Sequence, residues 1–244
     1  MRITGLSKMF YCALVVLMMT GCGVTPHKAA ERGDIEALKR LFEKGADVNG
    51  TDHADATPLH RAAEHNRIST VGFLLEQGAK VNAVNAVGLT ALHEAALRGY
   101  DKTVQMLLRG GANPAARTTT GDTPLHYAAD SGFDRVVELL IEYGANVNQQ
   151  GSMNRTPLHR AVRSGHVDTA RLLLEQGADL DARNSLHRTP LHEAAQVGSI
   201  GAINLLLSRG ADPSATDYKG ARPVDLAEQN GHEESAEQLR IAVK

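Results

Sequence analysis

The feature that most constrains this chain is a repeat. Thr57-Pro58-Leu59-His60 returns as Thr90-Ala91-Leu92-His93, Thr123-Pro124-Leu125-His126, Thr156-Pro157-Leu158-His159 and Thr189-Pro190-Leu191-His192, then in degraded form as Arg222-Pro223-Val224-Asp225. The spacing is 33 residues at every step, with no insertion. A unit this short cannot bury an apolar face alone, so it has to stack on its neighbours around one continuous core. The composition agrees: there is no Trp and aromatic residues make up only 4%, which suits thin layers of small helices rather than one thick globule.

Each copy reads as a pair of helices. Thr is placed to cap the first helix with its hydroxyl, Pro at the next position has the fixed φ a first turn wants, and Leu then faces inward. Small pairs such as Ala62-Ala63, Ala95-Ala96, Ala128-Ala129 and Ala194-Ala195 let the neighbouring layer approach closely. Gly99, Gly132, Gly165 and Gly198 then stop the helix, with Asn66 in the same place one repeat earlier. The second helix carries apolar pairs at a fixed offset, Leu74-Leu75, Leu107-Leu108, Leu140-Ile141, Leu173-Leu174 and Leu206-Leu207, preceded by Leu41-Phe42. These pairs are expected to form the core ridge. A further glycine closes each second helix, and a polar stretch such as Ala46-Asp47-Val48-Asn49 turns into the next copy.

On these residues, over roughly 24 to 244, the chain resembles the ankyrin repeat family, whose T-P-L-H-x-A signature and period it matches. The resemblance implies an all-α solenoid of helix-turn-helix units joined by hairpin loops. It would have five full repeats between partial N- and C-terminal capping repeats, over residues 27–244. At the start, His27, Ala29-Ala30 and Gly33 fall in register but the Thr-Pro-Leu opening is lost. At the end, Arg240 replaces the second apolar residue of the core pair, and Glu233, Glu234 and Glu237 make the last helix polar. The resemblance further implies a protein-binding role, and that the repeated His bonds the Thr of its own motif.

The first residues have a different character. Arg2 and Lys8 precede an apolar run from Met9 to Met19, and Thr20 and Gly21 precede Cys22. Residues 1–21 are expected to be an export signal, the apolar run being shorter than the roughly 20 residues a membrane span needs. Met19-Thr20-Gly21-Cys22 resembles the lipobox of bacterial lipoproteins, with Met in place of the commoner Leu. It implies a lipid anchor on Cys22 and a tether over 22–26. The expected address is the cell envelope, facing the periplasm, and the outer membrane because Gly23 rather than Asp follows Cys22. The tether reaches at most about 18 Å. Cys12 is the only other cysteine, so no disulfide framework is available.

Catalytic constellations are not evident. Of eleven histidines, His27, His60, His93, His126, His159 and His192 recur at one repeat position. Packed helices lie about 8–10 Å apart while Zn–N bonds are about 2.0–2.1 Å, so neighbouring copies cannot share one zinc. His53, His65, His166, His187 and His232 have no ligand-spaced partner. There is no Gly-rich phosphate loop and no nucleophile elbow. The expectation is a non-enzyme with no cofactor, no metal and no small-molecule substrate. A formal charge of −2 argues against nucleic acid.

What varies between copies is the surface through which the family binds partners. Arg117, Arg155, Arg160, Arg163, Arg183 and Arg188 gather there with Tyr127, Met153, Leu186 and Tyr218. Tyr and Arg dominate interface hot spots, and an apolar tip residue lacks a folding reason. Arg117, Tyr127, Met153, Arg155, Arg160, Arg183, Leu186, Arg188 and Tyr218 are therefore the candidate partner site. The competing expectation is a solvated face with salt bridges from Arg61 to Glu94 and from Arg160 to Glu193, each contributing about 0–1 kcal/mol. A membrane-placed module that binds or inhibits one envelope protein, such as a toxic or lytic enzyme, is the leading functional reading. A scaffold for several weakly held stress proteins, or a secreted host-directed effector if Cys22 is not lipidated, are the alternatives.

Overall fold

The computed structural model describes residues 23–242. Among them seven helix pairs follow one another: α1 (Pro26–Arg32) with α2 (Ile35–Glu43), α3 (Pro58–Glu64) with α4 (Ile68–Glu76), α5 (Ala91–Leu97) with α6 (Asp101–Arg109), α7 (Pro124–Ser131) with α8 (Asp134–Glu142), α9 (Pro157–Arg163) with α10 (Val167–Glu175), α11 (Pro190–Val197) with α12 (Ile200–Ser208), and α13 (Pro223–Gln229) with α14 (Glu233–Ala242). The odd-numbered helices stack on one another as an inner layer and the even-numbered ones as an outer layer. The connections from each pair to the next project as hairpin loops. This is the solenoid the repeat requires.

The inner helices start and stop as their sequences direct. Thr57 is extended (φ −84°, ψ 167°) and Pro58 is the first helical residue. At the other end the chain has to reverse within two residues, which needs a left-handed residue. Gly132 supplies it with φ +75°. It has a second reason to be glycine, because a Cβ there would lie 2.4 Å from Nδ1 of His166, whose ring covers the turn from the next repeat. Phe133 covers Gly99 and His232 covers Gly198 in the same way, so a ring from each of these following repeats seals the corner of the one before.

The core is one apolar seam running the length of the array. The motif leucines Leu59, Leu92, Leu125, Leu158 and Leu191 are buried, as are Leu74, Leu107, Leu140, Leu173 and Leu206. Of the second members of the expected core pairs, Leu108 is buried, while Leu75, Ile141, Leu174 and Leu207 are half-buried and pack against the core. The second fully buried column lies three residues earlier, at Leu38, Val71, Val104, Val137, Ala170 and Ile203. One turn of helix separates the two columns, so they share the inward face.

Both ends depart from the internal pattern. The first copy keeps a Thr-Pro opening, one residue out of register: Thr25 caps α1, its hydroxyl accepting the Lys28 N–H, and Pro26 is the first helical residue. At the other end Arg240 lies on the outside of α14, and its guanidinium bonds Glu228, Glu233 and Glu237. Leu239 keeps the core contact. The last layer therefore presents a charged outer face where an internal repeat would present an apolar one.

Candidate binding surface

The recurring histidines are a fastening between repeats. In His60, Nδ1 accepts the Thr57 backbone N–H at 3.1 Å and lies 2.9 Å from the Thr57 hydroxyl. Since Nδ1 is an acceptor there, Nε2 carries the proton, and it donates to the Leu89 carbonyl of the next repeat at 2.9 Å. His126 does the same to Arg155, His159 to Arg188 and His192 to Ala221, at 3.0, 3.0 and 3.1 Å. His93 reaches the Asp122 carbonyl at 3.3 Å. Every ring so held is buried. Burial disfavours the imidazolium and lowers the titration of all five, His93 to about 4. These rings are neutral structural groups. Among the described residues no group of three or more His, Cys, Asp or Glu is placed to hold a metal ion.

The hairpin tips are built on a column that the sequence analysis passed over. Asp52, Asn85, Asn184 and Asp217 each turn a side-chain oxygen onto two backbone N–H groups of their own tip. Asp or Asn at that column, 33 residues apart or a multiple of it, was the available signal. Successive tips are also joined by a backbone bond: Ala86 to Ala54, Thr119 to Val87, Ser185 to Met153 and Tyr218 to Leu186.

The tip at residues 150–154 breaks this pattern. The column position is Gly151, where a Cβ would lie 2.3 Å from Asp122 Oδ1 and 2.7 Å from His126 Nε2. Without its own Asx turn, the tip is held from the preceding one, Asp122 Oδ1 accepting the Ser152 N–H at 2.9 Å. Residues Ser152–Asn154 form a short 3-10 turn in which Met153 takes φ +56°. That is a sparsely populated region for a long side chain. Met153 is 45% exposed.

Three arginines of the predicted site are fixed in ion pairs. Arg160 closes on Asp122 with Nη2 at 2.9 and 3.1 Å from its two oxygens. Arg155 and Arg163 both hold Glu193, which is fully buried and also accepts from Asn184 at 2.8 Å. Arg188 pairs with the buried Asp217 and reaches Gln196. Burial works against ionisation of Asp122, Glu193 and Asp217, but the guanidinium partners and backbone N–H donors outweigh it, and all three titrate below their ordinary values. The expected pairs Arg61 to Glu94 and Arg160 to Glu193 do not form. Instead Arg61 binds Asp52 and Glu64, and Arg98 links Glu64 to Glu94. Arg61 and Arg160 both turn back instead, to Asp52 and Asp122 at the base of a hairpin.

The remaining candidates divide by exposure. Arg117 and Arg183 are exposed, and Tyr218 is exposed with Lys219 Nζ 5.5 Å from its ring centroid. Leu186 and Tyr127 are half-buried. The Tyr127 ring stands edge-on to His93, centroids 5.7 Å apart. Beside it opens a pocket of about 30 Å³ lined by Asp122, His126, Tyr127, Asp130 and Arg160, room for about one water molecule. The structure thus brings Arg117, Met153, Arg183 and Tyr218 to one free surface along the tips, and places Arg155, Arg160 and Arg188 beneath it. Cys22 lies outside the described residues.

A stacked helix-pair array with invariant internal fastenings and a variable exposed ridge defines an interaction scaffold. The family model for ankyrin repeats matches three times, over residues 26–118, 92–184 and 150–217, and the chain belongs to the ankyrin repeat family. Among solved structures, the ankyrin repeat domain of human ASB11 is similar, with a TM-score of 0.79 and 31% identity over 88% of this chain and 96% of that one. Comparison with curated proteins gives no match. Fold and family make this chain a protein-protein interaction module.

Proposed function

We propose that this chain is an envelope lipoprotein whose ankyrin array, tethered through Cys22, binds and restrains one envelope protein. The observation that carries the reading is the pairing of two sequence signals in one chain: a lipobox-like Met19-Thr20-Gly21-Cys22 and, directly after it, an interaction array whose first helix starts at Pro26. An array that close to an anchor works within a few nanometres of the bilayer, which suits holding a partner at a fixed address. Among the described residues no helix is long and apolar enough to cross a membrane. The test is crosslinked affinity purification from membranes, wild type against Cys22→Ala. A single dominant partner, recovered with the wild type and reduced with the variant, is the expected result. A wild type that fractionates as soluble, with nothing crosslinked, overturns it.

A further inference from the structure

The free charge on the tip ridge has one sign. The five tips at residues 84–88, 117–121, 150–154, 183–187 and 216–220 contain a single carboxylate, Asp217, and it is buried against Arg188. Their cations are outside. Among the described residues Arg117 is exposed and in no ion pair, Arg183 donates only to the carbonyls of His187 and Thr216, and Lys219 is exposed beside Tyr218. Exposed apolar side chains stand with them, Val84 and Val87 on the tip before Arg117, Met153 between Arg117 and Arg183, and Tyr218 beside Lys219, at 53, 55, 45 and 55% exposure. The first tip alone differs, with Asp55 exposed. On these five tips free carboxylates are absent and cations are mixed with apolar groups.

We infer that this ridge takes an extended, acidic segment of the protein partner, with an apolar residue of that segment seated on Met153. The inference rests on the protein-binding reading and gives the partner's chemistry. Repeats stack about 8–10 Å apart and an extended chain advances 3.2–3.4 Å per residue, so about three partner residues cross each repeat. Arg117 and Arg183 are two repeats apart and Arg183 and Lys219 one. The matching segment carries acidic residues about six and then three positions apart, with the apolar residue midway through the longer interval. A bare polyanion would satisfy the cations and leave Met153 and Tyr218 in water, which favours a polypeptide.

The experiment uses the purified full chain and the fluorescein-labelled peptide Glu-Thr-Ser-Leu-Thr-Ser-Glu-Thr-Ser-Glu, in both chain directions, read by anisotropy at low and moderate salt. One of the two directions is expected to bind at least tenfold more tightly than the same peptide with Lys for Glu, and to weaken as salt rises. Serine in place of its Leu lowers affinity several-fold, as does Met153→Ser. Arg117→Glu with Arg183→Glu and Lys219→Glu abolishes the preference for Glu over Lys while the chain stays folded by circular dichroism. Arg117→Glu alone, which removes no hydrogen bond, weakens binding in the same direction. Equal affinity for the Lys peptide, or binding indifferent to these changes, overturns the inference. Binding to phosphatidylglycerol vesicles without peptide binding reassigns the ridge to a bilayer surface. A partner that crosslinks from Leu97 or Val197 on the inner helices, and not from Thr119 or Ser185 on the tips, leaves the interaction module standing and removes the ridge from it.

Discussion

At the residue scale Gly151 is a position with no room for a side chain. A methyl group there meets Asp122 and His126 at 2.3 and 2.7 Å, and neither is a free side chain, because Asp122 holds Arg160 and the Ser152 N–H while His126 holds the Arg155 carbonyl. Gly151→Ala is expected to cost about 1–3 kcal/mol, the usual range for forcing extra atoms into a packed site, measured by urea denaturation. Arg155 carries a warning of the same kind. It looks like an interface residue in the sequence, yet Arg155→Glu would set a second carboxylate against the buried Glu193. Such a variant is expected to lose about 3–5 kcal/mol of stability, so it reports on folding before it reports on binding.

At the element scale the two apolar positions of α8 are unequal. Leu140 is fully buried while Ile141 is half-buried. Leu140→Ala is expected to cost about 2–5 kcal/mol and Ile141→Ala clearly less. In a quasi-one-dimensional array the first change also weakens coupling between the repeats on either side. Urea unfolding followed by two probes, one at each end, then splits into separate transitions for Leu140→Ala and stays single for Ile141→Ala.

How much was legible in the sequence follows from the range of each interaction. Helix starts, the left-handed stops and the Thr–His contacts depend on residues a few positions apart, so the repeat displayed them directly. The exposed side chains of the tips were legible too, since Met153 and Tyr218 stand where the period places loop ends. The ion pairs were not. Arg160 selects Asp122, 38 residues back, and Arg155 selects Glu193, 38 residues on. Those separations exceed one period because the side chain spans both a layer and a hairpin. The left-handed Met153 was hidden for another reason: it follows from a missing side chain at Gly151 and its replacement by Asp122 from the preceding tip.

At the scale of the whole molecule, acid attacks all layers together. Each fastening histidine titrates lower in the fold than in the unfolded chain, where its ordinary value is 6.5. The unfolded chain therefore binds protons first as pH falls, and stability that is complete above about 6.5 declines toward the folded values. For His93, at about 4, the loss is about 3 kcal/mol at 1.36 per unit. The carboxylates act in the next window down. The Arg61 partner and tip N–H groups outweigh the burial of Asp52 and hold it at about 2, and Asp122, Glu193 and Asp217 are lowered as well. Their contribution is complete above about 4 and drains away below it. Melting temperature followed from pH 8 to pH 3 is expected to be flat, then to fall from about 6.5 and steepen below 4. A profile still flat at pH 5 contradicts the neutral, Nε2-protonated assignment.

The fastenings also all point the same way. Each internal histidine gives its proton to the repeat that follows, whereas the helix pair α13 and α14 has Asp225 at that position. A carboxylate accepts the Arg222 N–H at 2.8 Å and has no proton to hand onward. The last layer thus closes its own corner and offers no socket for a successor. A unit copied within the histidine-bearing interior would keep a fastening on both sides, whereas one placed after α14 would meet a carboxylate and have none, so Asp225 makes the interior the place where such an array can lengthen.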